Sequence, residues 1–214
     1  DSATQYSQKY QEQLRVGENL MAFFGSIGLQ LLFHLGLHKS DDAEWLRSAL
    51  GSWWNGGIAP GDWHEMGRRS AQSIRQSNVP GISAIANVWF KGQGSRPSDF
   101  RKNLQRLGEM LNDFKHSRGP KTPREYKENS EEAHGLLREC LEQVSLLTQY
   151  PIHQVISSSQ DWKTQQMVVR TLVHMGDHPG LRQHETTLTV PVSDDHLYIA
   201  IDSDNWISLY PLIT

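Results

Sequence analysis

The chain has one cysteine, Cys140, so no intrachain disulfide can form. That fits a reducing compartment and leads to the expectation of a cytoplasmic protein. No apolar run reaches the length of about 18 residues that a membrane-spanning helix needs. The most apolar stretch, 20–37, is interrupted by Gly25, Ser26, Gly28, Gln30, His34 and Gly36, and reads as a buried helix. No secretory signal is visible. His-Glu-x-x-His, Cys-x-x-Cys, Gly-x-Ser-x-Gly and a phosphate loop ending in Gly-Lys-Ser/Thr are all missing, and Gly92-Gln93-Gly94-Ser95 is not followed by such a lysine. The commonest zinc-hydrolase, dithiol, serine-hydrolase and nucleotide-hydrolase signatures are thereby excluded, and no metal or cofactor is expected. There is no internal repeat and no low-complexity tract. The first residue is Asp1 rather than methionine, which suggests a piece of a longer protein whose other part carries the activity.

What the chain does have is apolar mass. Seven tryptophans and 37% hydrophobic residues in 214 positions are enough to bury a core, which argues against disorder throughout. The net charge of −3 conceals an uneven distribution: residues 91–128 carry ten Lys/Arg against five Asp/Glu, and residues 129–214 carry four against eleven. A basic middle and an acidic end suit a polyanion site, and equally a solvated helix face.

The periodicity divides the chain in two. Residues 1–150 read as helical and 151–214 as a small antiparallel β module, an α+β arrangement. Helices are expected over 3–37, over 43–50 behind a Ser40-Asp41-Asp42 cap, over 63–76 with Asp62 as N-cap, and over 82–90. A further helix over 100–115 is capped by Ser98 or Asp99, and the last long one runs over 123–149 with Pro123 in its first turn. After Tyr150-Pro151 the period shortens. Strands are expected over 152–156, 166–173, 186–190, 196–201 and 206–209, joined by turns at 176–180 and 202–205, as a meander or a small barrel-like sheet.

The stretch Leu111-Asn112-Asp113-Phe114-Lys115-His116-Ser117-Arg118-Gly119-Pro120, at a helix end, carries the most chemical information. It resembles the HEPN superfamily, with the likeness running over roughly 99–150. The resemblance implies a helical bundle, often dimeric, whose ribonuclease members set an arginine, then a polar residue, a few residues before a histidine. Asn112 and His116 stand in the matching places, but the arginine position is Leu111. Cleavage of this kind needs a proton-transferring group near the 2′-hydroxyl and a cation for the developing phosphorane charge. His116 suits the first task and leucine cannot perform the second. Arg118 and Arg106 could supply a displaced cation. The catalytic alternative is therefore His116, Asn112 and Arg118, and the binding alternative is Lys115, His116, Arg118 and Lys121. The plainest reading has Asn112 and His116 bracing the helix end, where the dipole favours histidine.

The order of features also resembles a bacterial module in which such a helix end and a Gly-Pro turn precede a long helix, a Tyr-Pro and a β meander. That module ends in a tail like Leu209-Tyr210-Pro211-Leu212-Ile213. It implies an accessory region joined to kinase, cyclase, protease-like or nucleotide-hydrolysing domains in bacterial signalling and anti-phage systems. Other candidates carry less. His34, His38 and His64-Glu65 invite a metal but lack a ligand pattern; His174, Asp177, His178 and His184 gather near one loop; Cys140 falls on an apolar face; Trp53, Trp54, Trp63 and Trp89 suit a core or an interface. The expectation is a non-catalytic sensor, regulatory or protein-interaction domain. Its partner would be a protein or an attached effector domain, with a homodimer and RNA as further possibilities and no membrane. The alternatives are a HEPN-type ribonuclease or RNA-binding domain using His116, and a small-ligand-binding domain.

Overall fold

A computed structural model describes residues 2–40, 44–92, 94–174 and 182–210. Among these residues six α-helices come first, α1 (Ser2–His34), α2 (Glu44–Gly56), α3 (Pro60–Ile74), α4 (Pro80–Asn87), α5 (Asp99–Lys115) and α6 (Pro123–Gln143), and five strands follow. The fold is α+β. The chain divides into two compact units, Asp1–Gln76 with Ala86–Ser145, and Ser77–Ile85 with Leu146–Thr214. Asp41 and Asp42 of the expected cap, the 176–180 loop with Asp177 and His178, the tail from Pro211 and the Trp54 side chain lie outside the described residues.

The first unit is built on α1, which packs against α3, α5 and α6. Tyr10, Leu14, Gly17, Met21, Phe24, Gly28 and Leu31 repeat at separations of four and three and form one buried seam. By length and composition the helix could cross a membrane, but 56% of its most apolar window is buried inside the protein, as in the core helix of a bundle. Ile27, Leu31 and Leu32 are fully buried there. Phe24, Trp89 and Phe100 meet edge-to-face, with Phe24 and Phe100 centroids 4.9 Å apart and Trp89 and Phe100 5.4 Å apart.

Three glycines set how closely α3 approaches α1 and the Trp89 ring. A Cβ on Gly25 would lie 2.7 Å from the Trp63 carbonyl oxygen, and one on Gly28 would lie 3.0 Å from Ser70 Cβ. A Cβ on Gly67 would overlap the Trp89 indole. Close approach of this kind is what glycine permits. Helix α3 also begins earlier than its sequence suggests. Pro60, with its fixed φ, takes the first helical position, and Asp62 stands at the third, where its Oδ2 accepts the Ala59 N–H at 3.0 Å. Helix α2 continues past Gly51 to Gly56; a Cβ on Gly51 would meet nothing within 4 Å. A glycine inside a helix costs only about 1 kcal/mol, which surrounding packing overrides.

In the second unit the strands β1 (Ile152–Gln160), β2 (Met167–His174), β3 (Arg182–Leu188), β4 (Leu197–Ala200) and β5 (Trp206–Ser208) form an open antiparallel sheet in the order β3-β2-β1-β4-β5. The expected simple meander is thus corrected: after β3 the chain crosses to the far side of β1 before forming the β4–β5 hairpin. Strand β1 runs on to Gln160 through a bulge between Val155 and Ser157. One sheet face buries Val155, Val169, Leu188, Tyr198 and Trp206, and Val192 enters from the crossing connection. Gly81 of α4 belongs to this unit, with Tyr150 and Ile201 against its Cα.

Within that apolar face sits one polar pair. His153, only 5% exposed, lies 2.9 Å by Nδ1 from Thr171 Oγ1, with its ring 4.6 Å from Trp206. The Thr171 hydroxyl donates to the His184 carbonyl at 3.4 Å, which leaves Oγ1 to accept from Nδ1–H. Burial pushes the His153 pKa down to about 4, and His184 adds to the shift.

Two outcomes follow from these packings. Gly67→Ala forces Trp89 aside and should lower stability by about 1–3 kcal/mol, read as a fall in Tm or in the urea midpoint. For His153 the folded pKa of about 4 lies below the ordinary 6.5. The unfolded chain therefore takes up the proton first, and stability falls as pH drops from 6.5 towards 4. Between pH 7 and pH 5 the loss should be about 2 kcal/mol, and His153→Leu should flatten that dependence in chemical denaturation.

Candidate functional site

Helix α5 starts on Ser98, whose Oγ accepts the Arg101 N–H at 3.1 Å and donates to the Val88 carbonyl at 2.6 Å. It ends at His116, the C-cap, whose backbone N–H donates to the Asn112 carbonyl. Ser117 then adopts a left-handed conformation, φ 58°. Its N–H donates to the Phe114 carbonyl at 3.2 Å and the Arg118 N–H to the Asp113 carbonyl at 2.7 Å, the two bonds of a Schellman stop. Gly-Pro follows, and Thr122 and Glu125 cap α6 reciprocally, with Thr122 Oγ1 accepting from the Glu125 N–H and Glu125 Oε2 accepting from the Thr122 N–H at 3.0 Å. The segment 111–125 is thus a helix stop joined to a helix start.

The side chains that sequence reasoning grouped here do not converge. Leu111, in the arginine's place, is 5% exposed and part of the core. Asn112 and Lys115 line a cavity of about 420 Å³ with Met21 and His64, whereas Arg118 and Lys121 line a different one of about 360 Å³ with Tyr10 and Asp113. His116 is exposed, and among the described residues its ring has no hydrogen bond. The cations are largely matched. Lys115 pairs with Glu18 at 2.8 Å, Arg118 with Asp113 at 3.0 Å and Arg106 with Glu132 at 2.8 Å, and Lys121 Nζ donates to the Ser117 carbonyl. With Lys102, Arg124 and Lys127 on Asp99, Glu128 and Glu131, six of the ten basic residues of 91–128 face a carboxylate.

The cation excess is elsewhere. Arg68, Arg69 and Arg75, with Gln72, Ser73 and Gln76, form the outer face of α3 and its exit. With Trp45 of α2 and Phe90 and Ser95 ahead of α5, they line a cavity of about 570 Å³. Glu65 accepts from Arg68 Nε at 2.7 Å, Arg68 Nη2 at 2.6 Å and Arg69 Nε at 2.5 Å. The Arg68 hydrogen bonds, with those of Arg69, hold its carboxyl down at about 2 against burial. Among the described residues Arg75 has neutral partners only: it lies 4.6 Å over the Phe90 ring and donates to the carbonyls of Gly92 and Gly94 at 2.8 and 2.9 Å. Arg69 lies 5.6 Å over the Trp45 ring. Close by, burial and the charge of Arg68 lower the pKa of Arg101, whose Nε is buried and has no hydrogen-bond partner among the described residues. Spacing was the available signal: 68, 69, 72, 75 and 76 recur on one helix face.

The remaining candidates resolve separately. His64 Nε2–H donates to the Arg101 carbonyl at 3.4 Å, and burial pushes its pKa down. His38 stacks on Phe33 at 4.4 Å, and His174 Nε2 lies 3.2 Å from Gln154 Oε1. Among the described residues no group of three or more His, Cys, Asp or Glu could hold a metal. Cys140 is fully buried and burial raises its thiol to about 12, which removes thiolate reactivity at neutral pH. Trp89 is a core residue, 2% exposed. Compared with known protein families, curated proteins and solved structures, the chain matches none.

The helix stop has a direct test. Ser117 occupies a conformation that glycine adopts without strain, so Ser117→Gly should raise stability by about 0.5–1 kcal/mol in chemical denaturation.

Proposed function

We propose that this chain is a non-catalytic sensing or interaction module. It would act as a regulatory part of a larger bacterial signalling or defence assembly, as its HEPN-like features suggest, with a protein partner or an attached effector domain. The observation that carries this reading is the separation at the end of α5. Leu111 is core, Asn112 and Arg118 line different cavities, and Lys115 and Arg118 face carboxylates. Phosphoryl chemistry needs a proton donor or acceptor and a free cation converging on one point. His116 without such a cation fits a helix cap better than a ribonuclease. An interaction role is also favoured by Trp162, which is 77% exposed on the β1–β2 turn, since tryptophan is enriched at protein interfaces.

Incubation of the protein and of His116→Ala with mixed-sequence RNA tests the reading. Intact RNA with both proteins is the expected result. Cleavage by the wild type that disappears in His116→Ala would establish the ribonuclease alternative instead.

A further inference from the structure

We propose that the arginine-lined cavity on the outer face of α3 binds a small phosphate-bearing organic anion of about mononucleotide size. This deepens the reading of the chain as a sensing module by naming what it senses. It does not depend on the end of α5, which lines other cavities.

Three observations converge on it. The first is charge: Arg68, Arg69 and Arg75 line the cavity, and Glu65 pairs with Arg68 and Arg69. Arg75 is held by carbonyls and an aromatic ring, and among the described residues no carboxylate pairs with it. The second is availability. The Arg69 side chain is 42% exposed, and among the described residues only its Nε is hydrogen-bonded, so both terminal nitrogens are open to an oxyanion. A guanidinium fork matches phosphate oxygens in pairs. The third is size and lining. About 570 Å³ falls within the range of small-molecule sites, and Gln72, Gln76 and the Trp45 ring offer hydrogen bonds and a flat surface for an organic group.

The same features disfavour a nucleic-acid strand. A strand requires a long unpaired basic track, and the basic stretch 91–128 has most of its cations matched. A concave site with three arginines at one place selects a compact anion.

The test is calorimetric titration of the purified protein with adenosine 5′-monophosphate, guanosine 5′-monophosphate, ribose 5-phosphate and inorganic phosphate, with single-stranded RNA as a further arm. Saturable binding of at least one phosphate ester, weakened by salt, is expected. Arg69→Gln should weaken it at least ten-fold, and so should Gln72→Glu, which adds a negative charge and leaves every arginine and Glu65 in place. Lys121→Gln, outside the cavity, should not change it. Melting curves of the variants establish that they fold. No binding of any phosphate probe, or binding indifferent to both cavity variants, would overturn the proposal. RNA binding tighter than any monomer and unaffected by Gln72→Glu would also overturn it. Cleavage of RNA through His116 would remove the non-catalytic reading and leave this site standing, whereas failure of phosphate binding would remove this site alone.

Discussion

The position of α3 depends on an absence of side chain. Gly25 and Gly28 on α1 let α3 approach until the Trp63 carbonyl and Ser70 touch the neighbouring helix, and Gly67 on α3 leaves room for the Trp89 indole. Once that contact forms, the rotation of α3 about its axis is set. Met66, Gly67, Ser70, Ala71 and Ile74 turn inward and are buried. With 3.6 residues per turn, 68, 69, 72, 75 and 76 must face outward together. The arginine cluster is thus the back of a packing face. Trp89, which Gly67 accommodates, is followed by Phe90, over which Arg75 is stacked. Core and cavity share that short connection.

The two basic regions of the helical unit differ in what surrounds their charges. Along α5 and α6 most of the cations lie beside carboxylates on the same or an adjacent helix, in exposed pairs worth at most about 1 kcal/mol each. Such pairs add little stability, but they remove the field that would draw in a polyanion. Along α3, Glu65 answers two guanidiniums, and Arg75 has carbonyl partners. Counting charges by sequence window therefore does not locate the α3 cluster. The 91–128 window holds the excess in number, while the first 90 residues, nearly neutral in sum, hold the cluster in space.

Local patterns made much of the fold legible. Helical spacing marked α1, α5 and the start of α6; β-branched runs marked β2; Ser98 and Pro123 marked helix starts. The differences arose where a local signal was overridden. Gly51 suggested an end that α2 passes through, and Asp62 looked like a cap although Pro60 had already begun the helix. Ser157, Ser158 and Ser159 obscured the second half of β1, which continues beyond a bulge. The crossing from β3 to β4 leaves no periodic trace, because strand order is decided by which edge the chain reaches. At the site, the motif near His116 was visible because its residues are adjacent in sequence. The cavity was not, because Trp45, Arg69 and Phe90 come from three segments that only packing unites.

Preorganisation is what distinguishes this cluster from a patch of surface arginines. A long cationic side chain loses rotamer freedom of roughly 2 kcal/mol when a ligand fixes it. Here that loss is largely incurred on folding. Arg68 is held by two hydrogen bonds to Glu65, Arg75 by two backbone carbonyls and the Phe90 ring, and Arg69 by Glu65 and the Trp45 ring. Glu65 has a double effect: it lowers the net charge of the cluster, and it fixes two guanidiniums side by side despite their mutual repulsion. An anion binding as proposed would not need to reorganise them; it would add a second counter-charge to a frame that already exists.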